Sequence, residues 1–192
     1  MGGLFGVVSD SDCVADLYYG TDYLSHLGTK RGGMAVRNEH GFHRAIHNIE
    51  NSYLRSKFKA GLGRFHGRHG IGVISDTDPQ PLIIGSHLGT FGIVTVGRIN
   101  NMAELVARAF ARRSYFSGTS DGITNPTEVM AMLICQEDSF EAGIRAAQEA
   151  IHGSCSLLLL TKDGIYAARD RLGRTPLVAG RRPGATAISS ET

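Results

Sequence analysis

Apolar residues in the first half of the chain come in short blocks set between glycines and polar turns, the pattern of strands rather than helices. Leu4 to Val8 is such a block and predicts a buried strand. "MAVRN" and "HRAIHN" predict a strand pair with "EHG" between them, and "GIGVISD", "PLIIGS" and "TFGIVTVG" predict three further strands joined by "TDPQ" and "HLG". Two stretches break this rhythm. Asp12 to Leu24 carries Val14, Leu17, Tyr18 and Leu24 at helical spacing, and "SYLRSKFKAGLGRF" predicts an amphipathic helix. Gly28 to Gly33 predicts a glycine-rich, basic loop.

Beyond residue 100 the period changes to that of helices. Asn101 with Glu104 resembles a capping box and predicts a helix through Arg113. Asn125, Pro126 and Glu128 give a stronger start, with proline at the first helical position. Asp138 and Glu141 open a third helix, "FEAGIRAAQEAI". Strand patterns then return: "SCSLLLLT", the turn "KDG" and "IYAARD" predict a hairpin, followed by "PLVAGRR" and "TAISS". Strands, then helices, then strands, joined by short turns, predict an α+β domain with largely antiparallel sheets and helices on their outer faces.

Composition narrows the class. At 192 residues the chain fits one domain, and 42% hydrophobic with 20% charged residues is ordinary for a globular protein. A net charge of +2 with dispersed basic residues gives no footprint for nucleic acid or an anionic membrane. No run approaches the length of a membrane span, and the Met-Gly start lacks the Ser or Thr that myristoylation requires, having Gly6 there. Cys13, Cys135 and Cys155 are too few and too scattered for a disulfide framework or a metal pattern, which suits a reducing, cytoplasmic setting. The irregular spacing of His43, His47, His66 and His69 predicts no metal site.

Several segments, taken in order, resemble class II glutamine amidotransferases, and most nearly the N-terminal half of amidophosphoribosyltransferases. Against the family's Arg-Asp-Pro-x-Gly-x-Arg-Pro-Leu-x-x-Gly, "ARDRLGRTPLVAGRR" has Arg169, Asp170, Gly173, Pro176, Leu177 and Gly180 in place, with Arg174 one position before the family's second arginine. "MGGLFGV" resembles the family's Met-Cys-Gly-Ile-Phe-Gly start, while "QPL" from Gln80 and "VGRINNMAEL" from Val96 fall between these ends in the right order. The resemblance covers the whole chain. It implies a four-layer αββα sandwich of the N-terminal nucleophile hydrolase type over residues 1–192. It also implies, in cis, a following phosphoribosyltransferase domain of a purine-biosynthetic enzyme, since "AISSET" resembles the stretch before that domain. It implies a glutamine-like small-molecule ligand, no cofactor and no metal, and it is compatible with a homo-oligomer.

In the family the initiator methionine is removed and a cysteine becomes the first residue. Its thiol attacks the glutamine side-chain amide, with its own α-amino group as base. Here that position holds Gly2, which has no nucleophile; the resemblance implies that removal of Met1 leaves Gly2 with the free amine alone. The family's oxyanion motif His-Asn-Gly-Asn reads Thr95, Val96, Gly97 and Arg98, so that only Gly97 of the two expected oxyanion donors remains. The family's Gly-His-x-Arg-Tyr reads Gly72, Val73, Ile74, Ser75 and Asp76, without the substrate-holding arginine. Arg31 and Gly32 match the family's His-Arg-Gly-Gln-Asp loop over the glutamine site, or are plain turn chemistry. In "SDGITNPTEV" either Pro126 replaces the aspartate that binds the glutamine amine, or Asp121 supplies it across an insertion.

These departures leave two expectations. One is a glutaminase domain by descent, inactive for want of a thiol. The other is a non-catalytic domain that binds a ligand or packs on a partner domain. The three cysteines read as buried structural thiols, and the arginines of "RDRLGR" as anchors of a turn.

Overall fold

The computed structural model describes residues 2–117, 119–120 and 123–192. Strand β1 (Gly2–Ser9) leads to helix α1 (Val14–Tyr23), a 3-10 turn (Leu24–Leu27) and the hairpin β2 (Arg31–Asn38) and β3 (Gly41–Asn48). Helix α2 (Leu54–Lys59) and a second 3-10 turn (Leu62–Arg64) precede β4 (His69–Ser75), β5 (Leu82–Ser86) and β6 (Gly89–Ile99). Then come α3 (Met102–Ala111), the two-residue strands β7 (Thr119–Ser120) and β8 (Ile123–Thr124), α4 (Pro126–Ile134) and α5 (Phe140–Ala150). β9 (Gly153–Leu160), β10 (Ile165–Ala168), β11 (Val178–Arg182) and β12 (Ala185–Ser189) complete the chain.

The strands form a six-stranded sheet, β11-β12-β1-β4-β2-β3, and a four-stranded sheet, β10-β9-β6-β5, with β7 and β8 paired to each other. The pairs within both main sheets are antiparallel. Alternation along each strand divides the core into three layers. Leu4, Val73 and Ala35 of the larger sheet meet Val94, Leu158 and Leu160 of the smaller one, filling the space between the sheets. Val7, Met34 and Val36 face outward onto Leu17 of α1 and Leu54 and Phe58 of α2. Ile93, Leu157 and Leu159 face outward onto Leu105, Met130 and Ala147 of α3, α4 and α5. The result is the four-layer αββα sandwich that the resemblance implies. Among the described residues no helix is long and apolar enough to cross a membrane.

Local departures from the sequence reading have identifiable causes. The loop expected over Gly28 to Gly33 ends early, because Arg31, Gly32 and Gly33 already pair with both β3 and β4. The helix expected over "SYLRSKFKAGLGRF" is only six residues long and gives way at Ala60–Gly61 to the 3-10 turn, as glycines there disfavour its continuation. Asn101 does not cap α3 with its side chain; instead its Nδ2 donates to the Ala150 carbonyl and its Oδ1 accepts from the His152 amide at 2.7 Å. Ser139, not Asp138, caps α5, its hydroxyl accepting from the Ala142 amide. Asn125 caps α4 as expected, accepting from the Thr127 amide at 2.9 Å, with Pro126 at the first helical position.

Candidate functional site

The register of the larger sheet places Gly2 opposite Ser75, and Ser75 opposite Arg31. Directly opposed residues share a face. Leu4 and Val73, two positions along, belong to the core between the sheets, so this row lies at one end of that space. The smaller sheet contributes Val96 and Gly97 from β6. A Cβ built on Gly2 would stand 3.1 Å from Val96 Cγ2 and 2.5 Å from the Ile74 carbonyl oxygen, nearer than real Cβ atoms come to backbone. The fold thus brings Gly2, Ser75, Arg31 and Val96 to one place and leaves no room for a side chain at Gly2.

The free amine expected at Gly2 is conditional on removal of Met1. Met1 still precedes Gly2 in this chain, so the nitrogen of Gly2 is a peptide amide and becomes an amine only once Met1 is cleaved off. Met1 itself lies outside the described residues, as does Asp121.

The positions around Gly2 serve structural ends. Ser75 is buried, and its hydroxyl accepts from the Thr77 amide, closing the turn after β4. Asp76 accepts from the Thr29 amide at 2.7 Å, which helps hold its carboxyl below the ordinary range and pins the loop before β2. Gly97 lies so close to β9 that a Cβ there would be 2.0 Å from the Ser154 carbonyl oxygen, so packing alone demands glycine. Gly32 faces away from the row, toward Leu54 and Ile49 under α2. Pro126 is the first residue of α4.

Two residues beside the row escaped the sequence reading. Gln80 is buried, and its side-chain amide grips one residue of β6 from both sides: Nε2 donates to the Thr95 carbonyl at 3.1 Å and Oε1 accepts from the Thr95 amide at 2.7 Å. Its own backbone carbonyl sits where a Cβ on Gly33 would be, 1.7 Å away, which only glycine permits. Asp78 is the second. Burial raises its carboxyl pKa, opposed by the Thr77 side chain and by the positive charge of Arg31. "QPL" was visible as a motif, but only the folded chain shows that Gln80 reaches Thr95.

None of the three thiols packs in the layer between the sheets that Gly2 faces. Burial pushes Cys13 up to about 12, with Asp12 adding to the effect. Burial likewise pushes Cys155 up to about 12, against the lowering effect of the Thr95 side chain, and Cys155 packs in the helix-side core, away from the face that Gly2 shares. Cys135 is half-buried and is also raised by burial. A thiol so protonated at neutral pH is a poor nucleophile.

The best-matching segment has a different job. Asp170 is buried and accepts from the amides of Leu172, Arg174 and Thr175, the last at 2.9 Å. Burial acts to raise its pKa, but these amides and the Ser156 hydroxyl outweigh it, and the carboxyl is held below its ordinary value. The Asp170 amide in turn donates to Ser156 Oγ at 3.0 Å, and Ser156 is the register partner of Val96. The motif therefore folds a turn against the strand beside the site.

Comparison with known proteins agrees with this fold. The family model described as "Glutamine amidotransferase domain" matches residues 66–192, more than half of the chain. The chain is 29% identical over 206 residues to an amidophosphoribosyltransferase of Methanocaldococcus jannaschii, covering all of this chain and 42% of that protein. It is 28% identical over 200 residues to amidophosphoribosyltransferase 1, chloroplastic, of Arabidopsis thaliana, covering 99% of this chain and 34% of that protein. Among solved structures, the glutamine phosphoribosylpyrophosphate amidotransferase of B. subtilis, complexed with ADP and GMP, superposes with a TM-score of 0.85 at 23% identity, covering 98% of this chain and 41% of that one. A class-II glutamine aminotransferase domain protein of Silicibacter pomeroyi superposes at 0.60 with 13% identity, over 97% of this chain and 87% of that one. The chain thus spans less than half the length of the curated relatives named here. With its sandwich, its retained turn at Asp170 and its match over residues 66–192, the chain belongs to the glutamine amidotransferase domain family.

Proposed function

We propose that this chain is the glutaminase-like domain of a cytoplasmic amidophosphoribosyltransferase-like protein of purine biosynthesis, that a phosphoribosyltransferase domain follows it in cis, and that it does not hydrolyse glutamine. One observation carries the last point: Gly2 offers no nucleophile, and Val96 and the Ile74 carbonyl occupy the space that its side chain would need. Removal of Met1 would supply the base of the family's reaction but not the thiol on which it acts. Without a thiol no glutamyl thioester forms. Valine at position 96 has no side-chain donor for a tetrahedral oxyanion, a loss worth about 3 kcal/mol on its own. Ammonia release from glutamine tests this reading.

A second role for the same end of the sandwich rests on Arg31. It is half-buried, on the row of Gly2 and Ser75, and its charge is felt by Asp78. A guanidinium beside a carboxylate suits the two charges of an α-amino acid, which would be bound there without being cleaved. Calorimetric titration with glutamine tests it: binding abolished by Arg31→Gln supports the role, and no binding, or binding that survives the substitution, rejects it.

A further inference from the structure

At the opposite end of the sandwich a groove of about 630 Å³ opens where the β2–β3 hairpin, the β5–β6 hairpin and the β9–β10 turn converge. Its size falls within the usual range for small-molecule sites. Arg37, near the far end of the strand that begins at Arg31, is six positions away, roughly 20 Å along a strand. The groove is therefore separate from the row at Gly2.

The lining has two parts. Phe42, Ile83 and Leu88 give a half-buried apolar wall that continues into the cores on either side of the smaller sheet. Arg37, Lys162 and Asp163 bring charge. The Arg37 guanidinium lies over the Phe42 ring, 5.9 Å from its centre. Among the described residues neither Arg37 nor Lys162 enters an ion pair, although five other ion pairs in the structure involve an arginine or a histidine with a carboxylate from elsewhere in the fold or one helical turn away. Two cations against the single carboxylate of Asp163 leave the groove positive, and its wall is greasy. We infer that this groove binds a small amphipathic organic anion, with its apolar body against Phe42, Ile83 and Leu88 and its acidic group toward Arg37 and Lys162.

Anilinonaphthalene sulfonate, an aromatic body with one anionic group, tests this on the full chain. The expected result is saturable fluorescence enhancement, with shifts in the amide spectrum centred on Gly41, Gly89 and Asp163. The paired variant Arg37→Gln with Lys162→Gln should bind it at least roughly tenfold more weakly, as loss of charge-assisted contacts implies. Uncharged phenylnaphthylamine should bind the parent and the paired variant alike. Thermal unfolding of the variant, expected to match the parent, keeps misfolding from imitating the effect; a loss confined to a destabilised variant is resolved by Lys162→Gln alone, which changes only an exposed turn. Absence of saturable binding, amide shifts elsewhere, or sulfonate affinity unmoved by the charge substitutions would overturn the inference.

Discussion

Val96 Cγ2 lies 3.1 Å from the point where a side chain on Gly2 would begin, so the residue in the oxyanion position fills the space of the residue in the nucleophile position. The third altered position, Ser75, faces Gly2 directly across β1 and β4, and its hydroxyl is committed to the Thr77 amide.

Restoring the thiol should therefore fail. Gly2→Cys must push aside Val96 and the Ile74 carbonyl, a cost of about 1–3 kcal/mol in stability. Steady-state ammonia release by this variant, with mass spectrometry confirming that Met1 is gone and the N-terminal cysteine free, should stay at background. Gly2→Cys combined with Val96→Asn removes the valine methyl, though not the Ile74 carbonyl, and adds a donor, so any recovery belongs to the pair. Strong activity in the single variant would mean that the pocket is intact.

The turn at Asp170 should carry a measurable share of stability. Asp170→Ala strands several amides and is expected to cost about 3 kcal/mol in urea unfolding. The sign of its pH dependence follows from its depressed pKa. Its stabilisation is complete above the unfolded-state value, near 3.9 for a free aspartate, and is lost as pH falls through the lower folded value. The parent should lose stability more steeply than Asp170→Asn as pH falls below about 4, by roughly the magnitude of one paired carboxylate. Parallel pH profiles would contradict this.

Gln80 should prove structural rather than chemical. Gln80→Ala removes both bonds to the Thr95 backbone and leaves that amide and carbonyl buried, which should cost about 2–4 kcal/mol. The readout is the urea midpoint. A change below about 0.5 kcal/mol would show that water replaces the side chain, on the scale of ordinary surface substitutions.

The thiols should react in order of exposure. With Cys13 and Cys155 pushed up to about 12, roughly one part in ten thousand is thiolate at pH 8. Iodoacetamide should modify Cys135 first in the native protein and all three cysteines in denaturant, as followed by mass spectrometry. Rapid native labelling of Cys13 or Cys155 would place a reactive thiol where burial forbids one.

Much of this was legible in the chain. The short apolar blocks at Leu4 to Val8 and in "TFGIVTVG", and the switch to helical spacing after Asn101, marked the elements, because both sides of each sheet have an apolar layer to fill. The expectation about Gly2 comes from resemblance alone. What could not be seen were relationships at long range. Asn101 gives its side chain to Ala150 and His152, about fifty residues on, so a local capping pattern misled. Gly97 reads as an oxyanion donor; the close approach of the Ser154 carbonyl, a separate packing demand for glycine there, was invisible in the sequence. Gln80 gripping Thr95 and Val96 filling the side-chain space of Gly2 are contacts between the two sheets or their connecting loops, and no periodicity within one strand encodes them.

The most direct test is ammonia release from glutamine by the purified chain itself, alongside the variant in which Cys13, Cys135 and Cys155 are all serine. The expected result is background in both. Turnover approaching ordinary enzyme rates, about 10 per second, that survives removal of all three thiols would contradict the loss of chemistry at Gly2.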